Sequence, residues 1–289
     1  MTLYVVATPI GNLEDLSPRA QRLLGEVDAI VAEDTRHTRQ LLTHFGLSRP
    51  LESLPAFDEA ARTGPLVARL VAGQSLALVT DAGTPAVSDP GEKLVDAARE
   101  AGVEVVPIPG PSAAIAALSA SGLDSSRFCF VGFLPRKGPA RREAIDELAR
   151  SRVTTILYEA GNRLGPTLAE LAAALGPRRA MVARELTKLY EQTVRRPLPE
   201  LAERFAEGAR GEVVVVVEGA REVPVAADEL PPLDEAIRAR LRALPPRPLR
   251  PGPRPARRRV RRQLNGRPTA ACPRGLFPAN KPRLRREPT

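Results

Sequence analysis

Cysteine is scarce: the chain has two, Cys129 and Cys272. Two cysteines cannot build a disulfide framework, and a reducing, cytoplasmic setting is the simplest expectation. Long apolar runs are missing as well. None approaches the roughly 20 residues that span a bilayer, so no membrane role is expected. The opening Met1-Thr2-Leu3-Tyr4-Val5-Val6-Ala7 lacks a basic segment and a small-residue cleavage site, and reads as a first strand rather than a signal peptide. No G-x-G-x-x-G follows a strand, which argues against a dinucleotide fold, and no G-x-x-x-x-G-K-[ST] occurs, which excludes a P-loop NTPase. His37 and His44 share one expected helix with no Cys/His cluster around them, so no metal site is expected. Cys129 reads as a buried strand residue with no histidine close in sequence. A covalent cysteine mechanism therefore lacks support.

Basic charge is present but misplaced for an RNA-binding body. The chain carries a net +9, yet residues 245–289 alone hold 13 Arg, one Lys and one Glu, which leaves −4 on the preceding 244 residues. The folded part is mildly acidic, and the high isoelectric point says nothing about what it binds.

What is present is a strand–helix rhythm. Short β-branched runs at 3–8, 29–32, 76–80 and 103–107 alternate with helical stretches that start at Pro18 (capped by Ser17), Thr35, Glu59 and Glu92 and stop near Gly25, Gly46, Gly73 and Gly102. This order predicts an α/β fold with a parallel or mostly parallel sheet and helices on both faces. A second βαβ-like set follows, with strands at 128–134, 154–158, 180–184 and 213–218 and helices at 139–150, 164–175 and 199–207. The expected division is an N-terminal α/β domain over 1–115 and a C-terminal α/β domain over 116–225. The small-residue helix before Gly122 joins them. Residues 226–289 are expected to be a short helix and then a Pro/Arg-rich tail. Eleven of the last 45 residues are proline, which excludes regular helices there, and too few apolar residues remain to build a core. The tail reads as disordered. It fits either a basic RNA-binding arm or sequence outside the native frame, as GC-rich DNA gives when the frame shifts.

Three loops follow strands of the first half, on the edge where open α/β sheets hold ligands. The first is Thr8-Pro9-Ile10-Gly11-Asn12-Leu13-Glu14-Asp15-Leu16. Gly11 and Asn12 tolerate positive φ there and would let backbone approach a ligand; the plainer reading is an ordinary strand-to-helix turn. The second is Asp81-Ala82-Gly83-Thr84-Pro85, extended by Ser88-Asp89-Pro90-Gly91. Asp81 ends a hydrophobic strand, where a carboxylate needs a partner: a ligand hydroxyl or ammonium, or the loop's own backbone. The third is Pro107-Ile108-Pro109-Gly110-Pro111-Ser112-Ala113-Ala114, whose small residues admit a ligand against the backbone. Ser112 there either caps a helix or donates to a ligand.

These loops in this order resemble the tetrapyrrole-methylase superfold. Within it the chain is most similar to the branch that methylates a ribose 2′-hydroxyl of 16S ribosomal RNA. The resemblance rests on residues 3–13, on Ala32-Glu33-Asp34-Thr35-Arg36-His37-Thr38, on Thr80–Pro85 with Asp89-Pro90-Gly91, on Pro107–Ala114, on Phe128–Leu134 with Pro135, and on Ala183-Arg184-Glu185-Leu186-Thr187-Lys188. Corrin-type and diphthamide-type relatives share the loops but not T-P-I-G-N-L or A-E-D-T-R-H-T.

The resemblance implies a two-domain fold with a cofactor cleft between domains and a homodimer. It implies S-adenosyl-L-methionine as cofactor, held by Asp81, Ala82, Gly83, Pro85, Pro109, Gly110, Ser112, Ala113 and Phe133. It implies 16S rRNA of the small ribosomal subunit as partner, contacted by Asn12, Glu33, Thr35, Arg36 and Arg184. Glu185, Lys188 and Asp34 are the residues to test as general base, because a ribose hydroxyl is a weak acid whose proton must be accepted as the methyl arrives. Arg36 and Arg184 suit phosphate, since a guanidinium presents a planar fork of donors. A plainer reading of A-E-D-T-R is a capped helix start. The chain departs from the family pattern at Leu54-Pro55-Ala56-Phe57-Asp58-Glu59, at Ala160-Gly161-Asn162, and in the tail. Two alternatives stay in view: a tetrapyrrole methyltransferase of the same fold and, motivated by the altered Leu54–Glu59 and Ala160–Asn162 segments, a non-catalytic ribosome-binding relative.

Overall fold

The computed structural model describes residues 1–220; the short helix and tail expected over 226–289 lie outside the described residues. The described elements are β1 (Thr2–Val6), α1 (Pro18–Glu26), β2 (Ala29–Ala32), α2 (Thr35–His44), β3 (Leu51–Ser53), α3 (Glu59–Val71), β4 (Ser75–Val79), α4 (Glu92–Glu100), β5 (Glu104–Ile108) and α5 (Ala113–Ser121), then β6 (Phe128–Phe133), α6 (Pro139–Arg150), β7 (Thr154–Ala160), α7 (Leu164–Leu175), β8 (Arg179–Arg184), β9 (Gln192–Pro197), α8 (Leu198–Arg204) and β10 (Glu212–Val217).

The first sheet is ordered β3-β2-β4-β1-β5, with every pair parallel. Its central strands are buried on both faces, as their apolar runs require. Ile30 and Ala32 pack toward Leu24 of α1 and Leu42 of α2. Ala29 and Val31, one residue out of phase, pack toward Leu70 of α3 and Leu94 of α4. Ser17 caps α1 by accepting from the Ala20 N–H at 3.1 Å. α4 begins at Gly91 with no cap of its own. Buried Glu59 fills that role from α3: its Oε1 accepts from the N–H groups of Gly91 and Lys93, both at 2.9 Å.

The second sheet is ordered β6-β7-β10-β8-β9. Only β6 and β7 pair in parallel, through α6; the other three pairings are antiparallel. The expected βαβ-like pattern therefore covers only its first unit. Two strands were missed. β3 is three residues long. β9 alternates half-buried Gln192 and Val194 with exposed Thr193 and Arg195, an edge strand too polar to stand out. The Leu-rich faces of α6, α7 and α8 cover one side of this sheet. The small helix α5 covers the other, setting Ala114, Ala117 and Leu118 against Ile156, Met181 and Val216. α5 ends at Gly122, whose φ of 61° is the left-handed stop that glycine supplies. Cys129 corrects an expectation: it is exposed, because β6 is an edge strand.

Candidate functional site

Because the first sheet is wholly parallel, the loops that follow β1, β2, β4 and β5 leave from one edge. They are tied into a single surface. The Thr8 N–H donates to the Gly83 carbonyl at 2.8 Å and the Gly83 N–H returns to the Thr8 carbonyl at 3.1 Å. The Thr8 hydroxyl donates to the Thr80 carbonyl at 3.0 Å, and the Thr84 hydroxyl to the Pro111 carbonyl at 3.1 Å. Asp81 finds its partner across the edge: its Oδ1 accepts from the Asp34 N–H at 3.2 Å. The Thr80 hydroxyl donates to Glu33 at 2.8 Å.

The segment after β8 closes over this surface. Asn12 donates its N–H to the Thr187 hydroxyl at 3.1 Å. Gly11 has no room for a side chain, since a Cβ would fall 2.5 Å from Lys188 Cγ. Neither Gly11 nor Asn12 uses positive φ; the glycine is needed for close approach of Lys188 rather than for an unusual backbone angle. Strain is concentrated elsewhere. Among the described residues, the four non-glycine positions with positive φ are Ala86, Ser88, Glu185 and Thr187. They fall in two loops, the one after β4 and the one after β8. Such conformations cost about 1 kcal/mol or more each and gather at functional sites.

Between these parts lies a cleft of about 410 Å³, lined by residues of the first loop from Thr8 to Leu13, by Thr80, Asp81 and Ala82, by α2 through His37 and Leu41, and by Lys188. A smaller hollow of about 60 Å³ adjoins it at Ile10 and Lys188 and is lined by Ala113, Tyr158, Glu185 and Glu212. A third, of about 300 Å³, also reaches Ile10 and includes Gly110, Ser112 and Thr187. Ser112 makes no capping bond to α5. Of the sequence-derived cofactor residues, Asp81, Ala82, Gly110, Ser112 and Ala113 thus line one or another of these three hollows, which share Ile10. Gly83 and Pro85 are buried within the loop and Pro109 is exposed beside it. Phe133 faces elsewhere, lining a separate hollow with Cys129 and Val131 against α6; its ring meets Tyr158 edge-on at 5.6 Å.

The candidate bases separate. Lys188 donates to Glu185 Oε1 at 3.2 Å, and both border the hollow beside Tyr158. Asp34 is the N-cap of α2, accepting from the Arg36 N–H at 2.8 Å, and it pairs with the Arg36 guanidinium at 2.6 Å. The Arg36 bonds hold its carboxyl down at about 2. A carboxylate so engaged is a poor proton acceptor, so the geometry moves Asp34 from base to cap, the plainer reading of A-E-D-T-R. Of the expected RNA contacts, Asn12 caps a short turn by accepting from the Glu14 N–H at 3.1 Å. Thr35 begins α2, half-buried. Arg36 is largely exposed, and Arg184 donates to Gln192 at 2.8 Å.

Sequence reasoning gave Tyr158 no role and named Asp89 only as part of its loop. Asp89 is half-buried; burial and the nearby Glu33 push its carboxyl up to about 6, against a hydrogen bond from Thr80. Its place between Ser88 and Pro90 in a rigid loop was the one available signal.

Comparisons with known proteins accord with this geometry. A family model described as Tetrapyrrole (Corrin/Porphyrin) Methylases matches residues 2–202. A ribosomal RNA small subunit methyltransferase I of Xylella fastidiosa (strain Temecula1) is 55% identical over 223 residues, covering 76% of this chain and 82% of its own. The protein of that name from Escherichia coli O157:H7 is 49% identical over 234 residues, covering 79% and 82%. Among solved structures, a uroporphyrin-III C-methyl transferase from Thermus thermophilus, complexed with S-adenyl homocysteine, aligns with a TM-score of 0.55 at 20% identity, over 75% of this chain and 97% of its own. With this edge-bound cleft and these relatives, the chain belongs to the tetrapyrrole methylases and, within them, to the ribosomal RNA small subunit methyltransferase I family.

Proposed function

We propose that the protein is an S-adenosyl-L-methionine-dependent methyltransferase that methylates the ribose 2′-hydroxyl of a decoding-region cytidine of 16S rRNA, cytidine 1402, in the small ribosomal subunit. We further propose that it acts as a cytoplasmic homodimer. The observation that carries the reading is the convergence on one cleft of the loops after β1 and β4 with Lys188, paired to Glu185, at its border.

The residues present fit a cofactor of this kind. Thr80–Ala82 supply carbonyls and a carboxylate to the wall of the cleft, suited to the cationic methionine end and to hydroxyls. Gly110, Ser112 and Ala113 leave the neighbouring wall free of bulk. The cofactor supplies a methyl group already activated on sulfonium. The protein's task is to hold the ribose oxygen in line with that methyl and take up its proton, and positioning supplies much of the acceleration. Within the Glu185–Lys188 pair the carboxylate is the group able to accept a proton. The ammonium is the group able to stabilise negative charge developing on the oxygen.

The test is ribose-methylation mapping of 16S rRNA in small subunits incubated with the purified protein and S-adenosyl-L-methionine. One new methyl at the decoding-region cytidine is expected. Subunits left unmethylated while a porphyrinoid accepts the methyl would overturn the rRNA assignment.

A further inference from the structure

The edge of the second sheet from which the Glu185–Lys188 segment leaves continues past the cleft, through the start of β10 and the end of β7 to the end of β6. At its β7 end, Glu159 is fully buried and ion-paired to Arg163; it also accepts from the Thr167 hydroxyl at 2.7 Å. Arg141 donates to Thr167 at 2.9 Å, to Glu170 at 2.8 Å, and to the Pro135 carbonyl at 3.0 Å. The Gly161 N–H donates to the Gly211 carbonyl and the Ala209 N–H to the Gly161 carbonyl, both at 2.8 Å. These bonds lock together three loops: 134–138 after β6, 161–163 after β7, and 205–211 before β10.

The cations those loops carry are Arg136, Lys137, Arg163 and Arg210. Arg136, Lys137 and Arg210 are exposed, and their side chains make no hydrogen bond or ion pair among the described residues. Most carboxylates of the same region are engaged or turned away: Glu159 and Glu170 in the network just described, Glu185 with Lys188, and Glu212 toward the Tyr158 hollow; exposed Glu207, in the loop that carries Arg210, is the exception among the described residues. The edge from β6 to β10 spans two strand spacings, roughly 10 Å. On a body that is net acidic, these hydrogen-bonded loops carry more cations than exposed carboxylates and form a positive rim.

We propose that this rim docks the phosphodiester backbone of folded RNA beside the chemical cleft, the loop 205–211 lying against Glu185 at Gly211. The inference rests on the rRNA reading above and adds a second contact area to it. Exposed, unpaired cations on rigid loops suit phosphates, which position a nucleic acid without reading its sequence. Glu159 is a positioning residue: its ion pair holds Arg163 and, with it, the loop after β7.

The test compares R136Q/K137Q/R210Q with the parent protein and with a charge-matched variant on the first half, R19Q/K93Q/R99Q. Affinity for small ribosomal subunits is measured across a salt series, with methyl transfer and calorimetric binding of S-adenosyl-L-methionine in parallel. The rim variant is expected to bind subunits at least about tenfold more weakly at 100 mM salt. Its slope of log affinity against log salt should fall by about 2–3, near one per lost contact, with cofactor binding retained. An unchanged slope, or an equal loss in the charge-matched variant, overturns the rim. A parent protein that binds subunits through the rim but transfers no methyl supports the rim and overturns the methylation reading; a parent that does not bind subunits overturns both.

Discussion

The two sheets solve the same packing problem by different means. The first is parallel throughout, so each strand ends on the same edge and four loops are delivered side by side. Those loops are joined by backbone bonds, as in the Thr8–Gly83 pair, and they enclose the cleft. The second sheet is mostly antiparallel, so its corresponding edge mixes strand ends with the start of β10. There the loops are held by a buried ion-pair network around Glu159. Parallel order concentrates ligand-binding loops. Antiparallel order leaves a surface that side chains must organise.

The largest expected effect tests the meeting point of the two. Glu185→Gln should lower kcat by about 100-fold or more, since the proton acceptor is lost. Asp34→Asn should lower it less than tenfold, because asparagine is itself a good N-cap; steady-state kinetics on small subunits separates the two. A larger loss at Asp34 would return the base to the first sheet.

Next come two stability tests, one per sheet. Glu159→Ala should destabilise the protein by about 3 kcal/mol, the cost of stranding Arg163 and Thr167 without their buried partner. Glu59→Ala should cost about 2 kcal/mol by exposing two N–H groups at the start of α4. Denaturant unfolding followed by circular dichroism measures both. If the two losses were reversed in size, the network would matter less to the second sheet than the cap does to the first.

The smallest effect has the opposite sign. Asp89 is raised from 3.8 to about 6 by burial and Glu33, so the folded state holds its proton more tightly than the unfolded state. Its contribution to stability is therefore present below about pH 4 and falls away as pH rises through about 6. Asp89→Asn should stabilise the protein at pH 7.5 by about 1 kcal/mol after allowance for solvent screening. The gain should vanish near pH 4, as thermal unfolding at the two pH values would register.

Much of the first sheet was legible because its determinants are local. Ser17, Asp34 and the glycines after α2, α3 and α5 mark helix ends by side-chain and backbone chemistry that needs no tertiary context. The loop at Asp81 was legible as a rigid strand-end turn. That its carboxylate reaches the Asp34 N–H was not, because that bond joins residues 47 apart in the chain. The antiparallel order of the second sheet was hidden for a similar reason: apolar runs such as 213–217 fit either direction. Strain at Ala86, Ser88, Glu185 and Thr187 left no trace in residue type, since none of the four is a residue that favours positive φ.

The central claim is that methyl transfer occurs where the first sheet's loops meet the segment carrying Glu185 and Lys188. It is tested most directly by a crystal structure with S-adenosylhomocysteine bound. The ligand is expected against Thr80–Ala82 and the Gly110–Ala113 wall, with its sulfur directed toward the Glu185–Lys188 pair. A ligand seated instead in the hollow lined by Phe133, Val131 and α6, away from Asp81 and Lys188, would contradict it.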